Sequence, residues 1–370
     1  MNALDELRSQ EIDRIATLLN DGGLLLVYGP DAQEAVEISA AGLAATYEIS
    51  SAEVDLDACT DQQQVAQAIA RAAAGALLGD ARLLDVPEDR LSAVQQRTWL
   101  DLRRALGDIV DLLDGELPAE RPPAPLIADV VGALAQGAME RSVHSALVLY
   151  GADALIDVPR SRFTKPGELL WAMRSAAQGA PQFSLILAGG PATIDLTSDP
   201  NAAFYGWGRP LKLGRLDTET LSDAVIAALG SDRALALRVA ELSEGLPRIA
   251  RLLARWVREE LATPAPGDPV GAAWIRLLHD QASSLRTATR LLADLHRVAL
   301  PVCQALATGR APYRAAHSSE VTRALRLLHA HGVCESPKPR AWRLTDPLLA
   351  AWLRGDSTRA GHGGHSGVAF

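Results

Sequence analysis

Cysteine is scarce in this 370-residue chain: Cys59, Cys303 and Cys334 are far apart and odd in number. That excludes a disulfide scaffold and fits a reducing compartment such as the cytoplasm. No run of about 18 uncharged apolar residues occurs, so no transmembrane helix and no membrane partner are expected. The opening MNALDELRSQEIDRIATLL is acidic and helically patterned. It lacks the basic-then-apolar order of a secretory signal. Internal repeats are absent, as are G-x-S-x-G, H-E-x-x-H, C-x-x-C and EF-hand patterns. Many carboxylates are present, yet no motif places a pair of them.

A hydrophobic share of 48% is too high for a disordered chain. The length exceeds what one core usually fills, so two or three domains are expected. The formal charge of −9 hides an asymmetry. Residues 1–270 carry 23 Lys/Arg against 39 Asp/Glu, while residues 271–355 carry 12 against 5, a local excess of +7. Any polyanion contact therefore belongs to the C-terminal module, with ordinary surface variation as the alternative. The excess of Arg over Lys carries little functional weight.

Apolar periodicity predicts a helix over 3–20, broken by Asn20-Asp21-Gly22-Gly23. GLLLVY (23–28), ALVLY (146–150) and FSLILA (183–188) are continuous apolar runs, the signature of strands buried on both faces. Weaker strands are expected near Tyr47–Ile49 and at 210–213. Helices are expected over 32–46, 61–79, 88–114, 126–143 and 168–178, with Arg121-Pro122-Pro123-Ala124-Pro125 as a linker. Strands alternating with helices predict a parallel three-layer α/β sheet. Beyond residue 217 the pattern is helical over 218–229, 232–243 and 247–261. A linker at 263–269 follows, then one long helix over 271–298. Short helices and a hairpin of 332–335 with 341–344 complete the order of a winged helix. The tail 356–370 is Gly/Ser-rich and expected to be disordered. The expected domains are thus a sheet domain over 1–216, a helical lid over 217–265 and a winged helix over 270–355.

A strand, a Gly-Pro turn and a helix make the setting of a phosphate loop. Such a loop needs glycines for close backbone approach, Lys for the β/γ charge and Ser/Thr for magnesium. Starting G-x-x-x-x-G-K-[ST] at Gly29 puts Pro30 next, Glu34 at the second glycine, Ala35 at the lysine and Val36 at the hydroxyl. Glu34 and Glu37 add negative charge where a triphosphate would lie. A helix N-terminus attracts an anion by only about 0.3–1 kcal/mol. The second strand runs into Tyr150-Gly151-Ala152-Asp153-Ala154-Leu155 rather than an acidic pair.

The order of these motifs resembles the AAA+/STAND superfamily, in particular archaeal-type and origin-recognition-like ATPases. LLLVYGP resembles the Walker A strand and ALVLYGADAL the Walker B strand, with Tyr150 and Gly151 at the acidic pair. SLILAGG (184–190) is similar to the sensor-1 strand. Gly245-Leu246-Pro247-Arg248 resembles the lid motif, and WRLTDPLLAAWLR (342–354) the winged-helix ending. The resemblance implies a degenerate nucleotide site of Gly29, Pro30, Ala35, Val36, Asp153 and Arg248. Arg248 there would face a γ-phosphate, or else start a helix paired with Glu241 or Glu244. The changes concentrate at the nucleotide site, which implies a scaffold that has lost ATP turnover. No resident cofactor is expected, with ATP and magnesium as the alternative. Asp153, two positions past the acidic pair, would reach a metal only through a shifted loop.

The recognition helix is expected at 317–331, capped by Ser318 or Ser319, with Val321, Leu325 and Leu328 inward and Arg323 and Arg326 outward. Arg314, Arg323, Arg326, Lys338 and Arg340 are the candidate DNA contacts. The alternative is a winged helix that contacts protein. His329, His331 and Cys334 look like ligands, but helix positions i and i+2 face apart. His362 and His365 lie in the tail. Cys59 and Cys303 read as small core residues. Expected partners are DNA and a protein, an active ATPase among them.

Overall fold

The structure, a computed structural model, describes residues 7, 9–20, 22–29, 32, 35–36, 49–59, 61–78, 90, 92–93, 96–97, 100, 122–140, 144–155, 166–178, 180, 182–198, 200–230, 232–262, 267–338 and 341–356. Two compact units divide the chain: Gln10–Leu213, and Gly214–Phe370 together with Met1–Ser9.

The first unit contains α1 (Ser9–Asn20), β1 (Gly23–Tyr28), β2 (Ile49–Asp55), α2 (Gln62–Leu78), α3 (Pro123–Glu140), β3 (His144–Tyr150), α4 (Pro166–Gln178), β4 (Phe183–Gly189), the single turn α5 (Asp195–Ser198) and β5 (Arg209–Lys212). Five parallel strands run in the order β2-β3-β4-β1-β5. In register, Leu25, Ile186 and Val148 lie side by side on one face, as do Val27, Ala188 and Tyr150. These pack with Ile15 of α1 and with Ala32, Ala35 and Val36. By the two-residue period, Leu24, Leu26, Leu147, Leu149, Leu185 and Leu187 take the other face, and all six are buried. Both faces of the inner strands are therefore covered, which explains their unbroken apolar runs.

The edges read differently. β2 alternates buried Ala52 and Val54 with exposed Glu53 and Asp55. It begins at Ile49, where only the end of a strand was expected. β5 is short, with Pro210 and exposed Arg209 and Lys212, features that discourage edge pairing. Pro123 and Pro125 sit in the first turn of α3, where a missing N–H costs nothing, rather than in a linker. Most of the helices expected over 32–46 and 88–114, and the tail 357–370, lie outside the described residues.

The second unit runs α6 (Thr218–Leu229), α7 (Arg233–Ser243), α8 (Pro247–Ala262), α9 (Pro269–Asp280), α10 (Ala282–Leu295), α11 (Ala299–Ala307), α12 (Ser318–Ala330), β6 (Cys334–Lys338), β7 (Ala341–Leu344) and α13 (Pro347–Arg354). Local rules fix its ends. Asp217, Asp232 and Asp346 cap α6, α7 and α13, and left-handed Gly230 and Gly355 close α6 and α13. The long helix expected over 271–298 is instead α9 and α10, separated at Gln281. One apolar core runs from Leu221 in α6 to Ala351 in α13, so the expected lid and winged helix share a core. Cys303 and Cys334 are fully buried in it. Burial pushes the Cys303 thiol up to about 12 and the Cys334 thiol higher still. No described helix is long and apolar enough to cross a membrane.

Candidate functional site

At the carboxyl end of β1, Gly29 is buried with φ +115°. Its N–H donates to the Gly189 carbonyl at 3.1 Å, and Leu213 N–H donates to the Tyr28 carbonyl at 2.8 Å. A Cβ at position 29 would collide with the Leu213 carbonyl oxygen, so glycine is required by backbone approach from β5. Ala35 is 2% exposed and Val36 0%. The two positions that would carry lysine and hydroxyl are side chains of the sheet core, clustered with Val27, Tyr150 and Leu211. Pro30 lies outside the described residues.

At the end of β3, Tyr150 is buried and its hydroxyl donates to Glu53 Oε2 at 2.9 Å. Asp153 follows in a 3-10 turn. Its Oδ2 accepts the Gly190 N–H at 2.6 Å and its Oδ1 the Thr193 hydroxyl at 2.6 Å. This carboxylate ties the exit of β3 to the exit of β4. Gly189 makes room for the bracket, since a Cβ there would run into Thr193 Oγ1. Thr193, fully buried, was not found by sequence reasoning; its signal is the Gly189-Gly190-Pro191 turn that starts a short helix.

Among the described residues, no group of three or more His, Cys, Asp or Glu could hold a metal. His329 Nδ1 lies 3.1 Å from the Cys334 carbonyl oxygen, which can only accept, and its ring meets Trp342 edge-on.

Arg248 belongs to the second unit. Its nearest carboxylate is Asp346, with Nη2 to Oδ2 at 4.0 Å, rather than Glu241 or Glu244. Asp346 also accepts the Leu348 N–H at 2.7 Å as the cap of α13. Both side chains are well exposed, so this ion pair contributes little.

On α12, Val321, Leu325 and Leu328 face the core while Arg323 and Arg326 are exposed. The cap position is His317, and no side-chain bond closes it, contrary to the expected Ser318 or Ser319. Arg314 ends a single 3-10 turn, Pro312–Arg314, which is all that separates α11 from α12 apart from short loops. Arg314, Arg323, Arg326 and Lys338 are exposed, and none pairs with a carboxylate among the described residues. Exposed Arg310, missed by sequence reasoning, joins them. Glu320, the acid nearest to this face along α12, is taken by Arg297. Arg340 lies outside the described residues.

A five-stranded parallel sheet with a glycine turn after its first strand, and a helical unit that carries a two-stranded hairpin before its last helix, are the features to compare with known folds. Compared with solved structures, the chain is similar to the ORC2 protein of Aeropyrum pernix, solved as ADPNP–ADP complexes. The identity is 13%, the TM-score 0.55, and the match covers 95% of this chain and 93% of that one. The ORC1 protein of the same organism, solved in complex with DNA, gives 15% identity, a TM-score of 0.48 and coverage of 96% and 94%. The likeness to the ORC2 protein is one of fold. No protein-family model matches the sequence, and no curated protein matches it.

Proposed function

We propose that this chain is a DNA-associated AAA+-type protein that does not turn over ATP. It serves as a cytoplasmic adaptor, joining a winged helix on duplex DNA to a protein partner such as an active ATPase. One observation carries the first half: Ala35 and Val36 are core residues where a lysine and a hydroxyl would have to meet phosphate and magnesium. The neighbouring strand exit offers Tyr150 in place of an acid, and Asp153 is held by Gly190 and Thr193. These residues do not fit a magnesium–triphosphate complex.

The exposed cations of α12 and the hairpin support the DNA half. Each cation that neutralises a phosphate releases counterions, so the affinity falls as salt rises. A nucleotide-sensing protein is the second reading, because the similar ORC2 protein was solved with ADPNP and ADP.

Calorimetry with ATP and magnesium, and anisotropy with a labelled duplex across a salt series, test both halves. No saturable heat with ATP is expected. Salt-dependent duplex binding is expected, lost on changing Arg323, Arg326, Lys338 and Arg340 to Glu. Micromolar magnesium-dependent ATP binding overturns the first half. Duplex binding that ignores the four changes overturns the winged-helix assignment, and no duplex binding at all overturns the second half and leaves a structural subunit.

A further inference from the structure

Arg215, the second residue of the C-terminal unit, is 9% exposed at its side chain yet fully charged in character. A guanidinium that deep has to spend its donors on protein acceptors, and it reaches three separate segments. Nε donates to Glu335 Oε1 at 3.0 Å on β6. Nη2 donates to the Thr345 carbonyl at 2.6 Å, just past β7, and is 3.5 Å from that of Leu344. Nη1 donates to the Glu244 carbonyl at 2.8 Å and lies 3.4 Å from Glu244 Oε2.

The turn and the hairpin that Arg215 joins both have irregular backbone. Glu244 is the only described non-glycine residue with positive φ, at +48°. Beside it, a Cβ on Gly245 would collide with the Leu216 carbonyl. The two strands of the hairpin share few ladder positions, with an irregularity between Glu335 and Lys338. Glu335 Oε1 also accepts Arg343 Nε at 2.8 Å, so one carboxylate joins both strands to Arg215.

We propose that Arg215 is a positioning residue that fuses the hairpin base to the Glu244–Gly245 turn, so that the two open together and not independently. Its consequence for DNA rests on the reading above, since the hairpin carries Lys338; the coupling itself does not. Lysine at 215 would offer a point charge in place of a fork and would not serve three segments at once.

Amide hydrogen exchange on the full chain tests this. Two reporters are needed: Leu216 N–H, bonded to the Gly245 carbonyl on the turn side, and Thr345 N–H, bonded to the Val333 carbonyl on the hairpin side. Glu335→Gln alters only the hairpin side chemically. It is expected to speed exchange at both reporters by about tenfold, with the Leu325 and Leu328 amides of α12 unchanged. Arg215→Lys is expected to do the same. Acceleration confined to Thr345 overturns the proposal, as does equal acceleration throughout α12, which would mean general unfolding. Arg215→Lys is also expected to weaken duplex binding severalfold with the same salt slope, because the change keeps the charge and Arg215 spends its donors on protein acceptors. If the wild type binds no duplex, the functional reading falls, and the amides alone still decide the coupling.

Discussion

At the mouth of the sheet, polar groups are turned inward and used up; on α12, Arg323 and Arg326 are turned outward and pair with no carboxylate among the described residues. Around β1 and β3, Ala35 and Val36 fill the core, and the carboxylate oxygens of Asp153 both meet donors from the next strand exit. On α12, three turns of helix bury Val321, Leu325 and Leu328 and leave Arg323 and Arg326 in water. Net charge follows the same division. Residues 10–213 hold 28 Asp/Glu and 15 Lys/Arg, while residues 271–355 hold 12 Lys/Arg and 5 Asp/Glu. A polar group satisfied inside the protein stabilises the fold and is lost to ligands, whereas an exposed cation adds little stability and stays available. The two units therefore predict opposite outcomes for the same kind of substitution.

The strongest way to break the contrast is to rebuild the missing phosphate loop. Ala35→Lys with Val36→Thr places an ammonium in the sheet core without a partner. A loss of about 3–5 kcal/mol is expected in urea titration of the full chain, with no gain of ATP heat. If the double variant keeps wild-type stability and binds ATP, positions 35 and 36 stand at an open mouth, and the contrast fails. The next largest effect belongs to the bracket. Asp153→Ala leaves Gly190 N–H and the Thr193 hydroxyl without their acceptor, which is expected to cost about 1–3 kcal/mol. Adding Thr193→Val should cost less than the sum of the two single changes, because they share a bond. Additive costs would show that Asp153 and Thr193 act separately. On the other unit, Arg323→Glu with Arg326→Glu is expected to move the urea midpoint by less than about 0.5 kcal/mol equivalent, although it removes duplex binding. A larger loss would make these arginines part of the fold.

Legibility in the sequence followed burial geometry. GLLLVY, ALVLY and FSLILA were readable because strands covered on both faces need no alternation, and β1, β3 and β4 follow them closely. β2 was placed too early, since an edge strand carrying Ser51, Glu53 and Asp55 shows only weak strand propensity. The prolines of RPPAP read as a linker because the same residue serves both a break and a helix start. Nothing in the composition of 271–298 marks Gln281, a single non-helical residue without Gly or Pro. The outward positions of Arg323 and Arg326 were readable from helical periodicity. The Asp153–Thr193 bracket and the Arg215–Glu335 contact were not. Their partners lie 40 and 120 residues apart, and no local spacing announces them.

The smallest effect offers the finest comparison, because Asp217 repeats the chemistry of Asp153 in the open. Asp217 accepts the Thr220 N–H at 2.8 Å and the Thr220 hydroxyl at 2.7 Å, one backbone and one threonine donor, as Asp153 does. Those bonds, led by the backbone N–H, hold its carboxyl below the usual 3.8. A carboxyl lowered in the folded state adds stability above its unfolded pKa, and the addition disappears as pH falls through the folded value. Asp217→Asn keeps a capping acceptor but cannot titrate. The wild type is therefore expected to exceed Asp217→Asn slightly and evenly between pH 5 and 7, with the margin closing below about pH 4. A margin that holds or widens on acidification would show that the charge on this cap does nothing. Because water reaches Asp217 and not the Thr193 side of the bracket, this change should stay well under the loss at Asp153. Equal losses at the two aspartates would mean that enclosure, rather than the pair of donors, has been given too much weight.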